Sequence, residues 1–319
     1  MRIVASVFIG AAVAFASCVV SAQSFPSKPV RIIVPFGSGM IDNVTRLVGE
    51  QLSQKWGQPV VIENKPGAGG NIGADVVAHA PPDGYTLLMG GPSVVVNTAL
   101  YDRVPYVLMK DLVPVTQVAN APFVVVVHPS VPAHTLQELI AYAKANPGKL
   151  NYGSGGSGTS AHLSGELLKL QAGLDIVHIP HKGGAATLTE LLAGRIQLAV
   201  DAASIYLPFI EKGSLRAIAA AQATRIESLP DVPTAREAGL PGFETGAWAG
   251  LLAPGGTPPA VMQQISADVA SIVSRPDTRA KWSKLGIEAV GSTPEQFGRF
   301  MEAELKKWTE VVRASGAKP

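Results

Sequence analysis

A glycine- and serine-rich segment between two predicted elements carries the residue types best suited to binding an anion. Residues 150–170 run from a short apolar stretch, through a glycine loop at 153–160, into an amphipathic helix. The first amides of a helix have no intrahelical partner, and the aligned peptide dipoles place about half a positive charge there. Glycines let a ligand approach the backbone, and the hydroxyls of Ser157, Thr159 and Ser160 add donors. The pattern predicts a site for a carboxylate or a phosphate.

The same loop satisfies the spacing G-x-G-x-x-G, with Asp175 near the position of a ribose-binding acid, which is typical of a dinucleotide site. The strand before it, at 150–152, is short and lacks the buried valine and isoleucine run of such folds. No G-x-S-x-G nucleophile elbow occurs in the sequence. We therefore expect no cofactor and no catalysis. The alternative is an exported hydrolase or a dinucleotide-dependent oxidoreductase.

The first 22 residues have the layout of a cleavable secretory signal. Arg2 precedes an apolar run at 3–20, and a small residue, Ala22, ends the segment. We predict export with cleavage after Ala22, with lipidation at Cys18 as the alternative. Cys18 is the only cysteine, so the mature chain would contain neither a disulfide nor a cysteine nucleophile.

The charge balance limits the classes of partner, and the chain length indicates the number of lobes. The chain has 26 Lys and Arg against 24 Asp and Glu, and these are scattered. Such a balance disfavours nucleic acid or an anionic membrane surface as a partner.

His178 and His181 lie near Asp175, but residues three apart on a strand point to opposite faces, so we predict no metal site. A chain of 319 residues is large for one core, so two lobes are expected.

Predicted strands alternate with predicted helices along most of the chain. This order implies parallel sheets covered on both faces, and such α/β folds bind ligands beyond the carboxyl ends of their strands. Four strand ends carry suitable loops, at 36–42, 90–93, 153–160 and 201–204. Their wide separation in sequence favours ligand capture between two lobes over a single catalytic centre.

The chain resembles the periplasmic solute receptors of tripartite tricarboxylate transporters. The matching segments are 26–36, 63–73, 82–88, 153–163, 181–184, 229–234 and 248–254, together with the C-terminal helices. The resemblance implies a non-enzymatic periplasmic receptor that delivers a small organic acid to the membrane permease subunits and acts as a monomer. A sensor that passes its solute to a signalling partner is a further alternative.

The resemblance also implies an α/β fold of the type II periplasmic-binding-protein class, the Venus flytrap, with two parallel-rich sheets and two crossing strands. One lobe would comprise residues 23–124 and 247–319, and the other residues 125–246. The ligand carboxylate would be held between them. Carried over by position, the ligand-binding residues would be Phe36, Gly37, Ser38, Gly39, Gly91, Pro92, Ser93, Ser154, Gly158, Thr159, Ser160 and Asp201.

The first loop departs from the family pattern. The family reads Phe-Pro-Pro-Gly-Gly-x-Thr-Asp, whereas this chain reads Phe36-Gly-Ser-Gly-Met-Ile-Asp42, which is one residue shorter. Met40 and Ile41 bring apolar bulk where a glycine and a threonine are missing. We therefore predict a ligand with one firmly held carboxylate and a partly apolar body, which could be aromatic. Asp42 is expected to cap its helix, and His162 to fill the space beneath the glycine loop.

Overall fold

The computed structural model describes residues 25–37 and 39–318. The predicted signal segment, the lipidation alternative at Cys18 and the predicted ligand contact of Ser38 lie outside the described residues. The strands are β1 (Val30–Val34), β2 (Val60–Asn64), β3 (Thr86–Gly90), β4 (Leu112–Val127), β5 (Asn151–Ser154), β6 (Val177–Pro180), β7 (Leu198–Ala202), β8 (Arg216–Ala220), β9 (Gly246–Pro254) and β10 (Glu288–Ala289).

The helices alternate with these strands as the sequence predicts. They are α1 (Met40–Trp56), α2 (Asn71–Ala78), α3 (Pro92–Leu100), α4 (Leu136–Ala145), α5 (Ser160–Ala172), α6 (Gly184–Leu192), α7 (Ala203–Glu211), α8 (Pro259–Val273), α9 (Pro276–Ser283) and α10 (Pro294–Ser315). In the described ranges, no helix is long and apolar enough to cross a membrane.

The strands form one mixed sheet with the order β2-β1-β3-β9-β4-β7-β5-β6, and β8 and β10 pair with β4. Within it, β1 pairs in parallel with β2 and β3, and β5 pairs in parallel with β6 and β7. The long strand β4 is antiparallel to all its partners. Its residues up to Pro122 pair with β9, and those from Phe123 pair with β7 and β8. One strand thus joins two groups of parallel strands.

Local sequence signals explain the best-predicted elements. α4 and α10 each start with a capping box, in which a threonine and the residue three places later satisfy each other's backbone amides. These threonines are Thr135 and Thr293. Val124 to Val127 in β4 are fully buried, as expected for a strand covered on both faces.

Three elements escaped the sequence analysis, namely α3, α7 and the first half of β4. α7 contains Pro208, which normally ends or kinks a helix, and its pattern is apolar almost throughout. The first half of β4 contains Pro114 and the polar residues Thr116 and Gln117, so only its last residues read as a strand. Pro114 is accommodated at a shift in the register between β4 and β9.

Candidate ligand-binding site

A cavity of about 460 Å³ lies where the loops after β1 and β3 face the glycine loop after β5. Its size falls within the usual range of small-molecule sites. It is lined by Phe36, Gly37, Gly39, Met40, Ile41, Gly69, Pro92, Ser93, Val96, Asn97, Leu100, Tyr101, Ser157, Gly158, Thr159, Ser160 and Ala247.

Three helices begin at this cavity. The N-cap residues of α1, α3 and α5 are Gly39, Gly91 and Thr159, and the first residue of each helix lines the cavity. Amides in a first turn have no intrahelical partner, and each helix adds a partial positive charge at this end. None of the described lining residues is a lysine or an arginine. The site can therefore attract an anion through amides and dipoles without a cationic side chain.

Ser93 supplies a side chain with no partner inside the protein. It is the second residue of α3, and its hydroxyl oxygen is buried without a hydrogen bond. An unsatisfied buried hydroxyl costs free energy, so few occur in folded proteins. Because Ser93 lines the cavity, a bound polar group is well placed to satisfy it.

The glycine loop is held from beneath by the first turn of α5. The Thr159 hydroxyl donates to the Gly156 carbonyl oxygen at 2.7 Å and accepts from the His162 amide at 3.3 Å. The Gly158 amide donates to His162 Nδ1 at 3.0 Å. Gly158 has φ +76, which glycine adopts without strain. His162 therefore lies against the loop and accepts one of its amides, which goes beyond the space-filling role that we predicted.

A buried polar cluster continues below His162. The rings of His162 and His178 stack at 4.0 Å between centroids, and His178 stacks on Tyr152 at 4.9 Å. Burial lowers the pKa of His162 and lowers the pKa of His178 to about 4. Both imidazoles are therefore neutral near pH 7, so His162 Nδ1 can accept the Gly158 amide. In the described part of the chain, no three His, Cys, Asp or Glu side chains assemble as a metal site would require.

Eight of the predicted site residues line the cavity, namely Phe36, Gly37, Gly39, Pro92, Ser93, Gly158, Thr159 and Ser160. Three do not. Gly91 lies behind the wall, where an added Cβ atom would be 3.0 Å from the Trp248 carbonyl oxygen. Ser154 is fully buried, and its hydroxyl is 2.7 Å from His178 Nε2 and donates to the Gly156 carbonyl at 3.0 Å.

Asp201 is the third predicted residue away from the cavity wall. It lies near the end of β7, where one carboxylate oxygen accepts the Ala202 amide at 2.8 Å. Burial raises the pKa of this carboxyl to about 6. A Cβ atom added to Gly184, at the start of α6, would lie 3.8 Å from the other oxygen. Ligand contact by Asp201 stays a prediction.

Asp42 positions the first loop and does not cap α1, so the expected cap was wrong. Gly39 occupies the N-cap position. Asp42 instead binds Arg46, with two hydrogen bonds of 3.0 Å, and Asn64 at 2.8 Å. Asn64 also donates to the Phe36 carbonyl oxygen at 2.9 Å. The Arg46 hydrogen bond lowers the pKa of Asp42, which keeps this network charged.

Sequence reasoning missed most of the wall that α3 contributes. The missed residues include Val96, Asn97, Leu100 and Tyr101. A signal was present, because Ser93, Val96, Asn97 and Leu100 have the spacing of one helix face. It was obscured by the run of valines before Asn97.

The fold and the cavity define a solute-binding protein of the α/β periplasmic-binding-protein class. Residues 44–317 match the family described as the tripartite tricarboxylate transporter family receptor, and the chain belongs to this family. It is 35% identical to the protein BugT of Bordetella pertussis over 320 residues, which cover 99% of this chain and 98% of BugT.

Two solved structures show the same fold. The R. palustris protein Rpa4515, solved with adipate, is 36% identical with a TM-score of 0.78, over 92% of this chain and 99% of that one. The periplasmic binding protein BugD is 32% identical with a TM-score of 0.74, also over 92% and 99%. The predicted family and receptor class are confirmed. The enzymatic alternatives are not supported, because the family is one of transporter receptors.

Proposed function

We propose that this chain captures a small organic acid in the cavity and delivers it to the membrane subunits of a tripartite tricarboxylate-type transporter. The observation that carries the proposal is the start of three helices at one cavity whose described lining includes no basic side chain. The adipate bound to the relative Rpa4515 supports a carboxylate as the ligand.

The energetics are sufficient for a receptor. A micromolar dissociation constant corresponds to about 8 kcal/mol. Hydrogen bonds to a charged group contribute about 1.5–3 kcal/mol each, so a few amides and the Ser93 hydroxyl supply much of this, and burial of an apolar body supplies the rest. In this proposal the predicted residues on the wall touch the ligand. Gly91 and Ser154 lie behind them and act through them, and ligand contact by Asp201 remains part of the proposal.

The molecule would close around its ligand as two lobes, one of residues 23–124 and 247–319 and the other of residues 125–246. The two parallel groups of strands, on opposite sides of the β9–β4 pair, support this division into two sheets. Leu100 and Gly158 face each other at the rim, since a Cβ atom added to Gly158 would lie 3.1 Å from Leu100 Cδ2. Hinge closure of this kind shields the bound solute from water.

The processing, the oligomeric state and the partner of the receptor are proposed from the sequence. We propose cleavage after Ala22, a monomeric mature receptor in the periplasm, and docking to permease subunits when the lobes are closed. A signalling partner in place of a permease is the second candidate, and it would leave the binding step unchanged.

Pairs of acids and their neutral amides test the proposal. Calorimetric titration with benzoate and benzamide, and with hexanoate and hexanamide, should show saturable binding of the acids and at least tenfold weaker binding of the amides. The acids should be recovered unchanged, and small-angle scattering should show compaction. Equal affinity for the amides, or conversion of the acid with time, would contradict carboxylate capture.

A further inference from the structure

The cavity wall formed by α3 changes from polar to apolar along the helix. Ser93, Val96, Asn97 and Leu100 share one face and all line the cavity. At a rise of about 1.5 Å per residue, Leu100 lies about 10 Å from Ser93 along the helix axis. A ligand lying along this face therefore meets a hydroxyl at one end and aliphatic carbon at the other.

The polar end of this face suits the carboxylate, because the start of α3 and the second turn of α5 both lie beside residues at the start of β9. The N-cap of α3 packs on the carbonyl of Trp248. One turn into α5, the Ser164 and Thr245 hydroxyl oxygens are 2.6 Å apart. An anion placed here is close to the N-terminus of α3 and faces Ser160, the first residue of α5, and the rest of the ligand extends along α3 toward Leu100, which lies beside Gly158 at the rim.

The far end of the face offers little to a second carboxylate. Both amide hydrogens of Asn97 are engaged, donating to the Gly69 carbonyl at 3.0 Å and to Asn71 Oδ1 at 2.9 Å. Asn97 can therefore present only an acceptor, which disfavours an anion. The Tyr101 hydroxyl lies beside Gly69, 2.9 Å from the position of an added Cβ atom, and can bond a neutral hydroxyl. A carboxylate held between Leu100 and the glycine loop would lose part of its hydration, and Leu100 offers no donor in exchange.

We propose that the cavity selects monocarboxylates with an apolar body, accepts a distal hydroxyl, and rejects a distal carboxylate, and that Leu100 is the residue that sets this preference. The inference rests on the proposed capture of a carboxylate. It goes beyond it by excluding a distal carboxylate and by naming the residue responsible.

Three six-carbon acids that differ only at the distal end test the inference. Calorimetry on the wild-type chain should show hexanoate and 6-hydroxyhexanoate binding within about threefold of each other, and adipate at least tenfold more weakly. Leu100→Lys should reverse the order, with about tenfold tighter adipate binding and weaker hexanoate binding. A lysine at the last residue of α3 suits the helix dipole, so the fold should be retained.

The matched control is Leu170→Lys, at an exposed leucine outside the cavity, which should leave all three affinities unchanged. If Leu100→Lys fails to fold, Leu100→Gln adds a donor without charge and should still narrow the preference against adipate. Adipate binding as tightly as hexanoate to the wild type, or no gain for adipate in folded Leu100→Lys, overturns the inference. Failure of every carboxylate tested, benzoate included, overturns the proposed function as well.

Discussion

The two walls of the cavity offer different chemistry. The wall from α1 and α3 is largely aliphatic, with Ile41, Val96 and Leu100 on its surface. The facing wall is the glycine loop, whose residues 157–160 present hydroxyls and backbone amides. The first wall can be altered by exchanging side chains. The second depends on a backbone shape that few substitutions preserve.

The two walls also differ in the part of the protein on which they pack. α3 packs on the hydrophobic core through Val94, Val95 and Val96, whereas Ser93 and Leu100 on the same helix are half-buried and can be exchanged more freely. The glycine loop rests on a buried polar cluster that includes His162 and His178. The comparison teaches that the glycine-loop wall serves only to recognise the charge. The wall from α1 and α3 combines a polar end at Ser93 with an aliphatic face that selects the body of the ligand.

The strongest test of this contrast is Ser160→Asp. A fixed negative charge at the start of α5 should weaken carboxylate binding at least 100-fold, about 3 kcal/mol, because the new side chain would occupy the position of the ligand carboxylate. The same charge suits the helix dipole, so the thermal midpoint should stay equal or rise slightly. Calorimetry and a melting curve measure the two effects.

Ala260→Asp is the matched control, because it places an acid in the first turn of α8, at an exposed residue outside the cavity. It should leave affinity unchanged. Carboxylate affinity that survives in Ser160→Asp would mean that this wall does not hold the charge.

Gly158→Ala should have the next largest effect. An alanine at φ +76 is strained by about 1–2 kcal/mol, and its methyl group would press on Leu100 across the cavity. We expect about tenfold weaker binding together with lower stability. Gly213→Ala separates the two causes, since Gly213 has φ +70 with no atom within 4 Å of the added Cβ. Gly213→Ala should lose stability and keep its affinity. An equal loss of affinity in Gly213→Ala would show that the weaker binding of Gly158→Ala does not come from the glycine loop.

The sequence predicted the glycine-loop wall well, because its glycines, its hydroxyls and the helix behind it are consecutive in the chain. α3 was missed, because Val94, Val95 and Val96 are β-branched and read equally well as strand. The inward direction of Ser154 was also missed. It depends on pairing with β6, which brings His178 beside it, and this is a contact between distant residues.

The family resemblance predicted where the ligand-binding residues lie, and local sequence signals predicted where several helices begin or end. Neither could show that Asn97 has no free amide hydrogen, because Gly69 and Asn71 reach it only through the packing of α2 and α3. The selectivity of the aliphatic wall therefore follows from tertiary contacts.

A smaller effect is expected at the support of the loop. His162→Leu removes the acceptor of the Gly158 amide, so the loop should become less ordered and bind carboxylates roughly fivefold more weakly. His162→Asn places an oxygen near the former Nδ1 and should restore most of the affinity. If both variants bind alike, His162 only fills space. A difference between them identifies the hydrogen bond as the positioning element.

The smallest effect concerns stability between pH 6.5 and 4. His178 has a folded pKa of about 4, below its ordinary 6.5, so the stability that its neutral form contributes is present above pH 6.5 and is lost as the pH falls toward 4. Asp201 has a folded pKa of about 6, above its ordinary 3.8, so its contribution has the opposite sign and grows as the pH falls. The two therefore oppose each other in this window.

Asp201→Asn should expose the loss that His178 causes. Its thermal midpoint should fall more steeply than that of the wild type between pH 6.5 and 4, by a few degrees. The groups that act on His178 electrostatically, namely His162, Glu166, Lys169 and His181, are unchanged in this variant. Asp102→Asn, at an exposed position, is the control and should follow the wild type. An equal slope in Asp201→Asn would show that the Asp201 carboxyl ionises as easily in the folded chain as in the unfolded one, and a shallower slope would show that folding favours its ionised form.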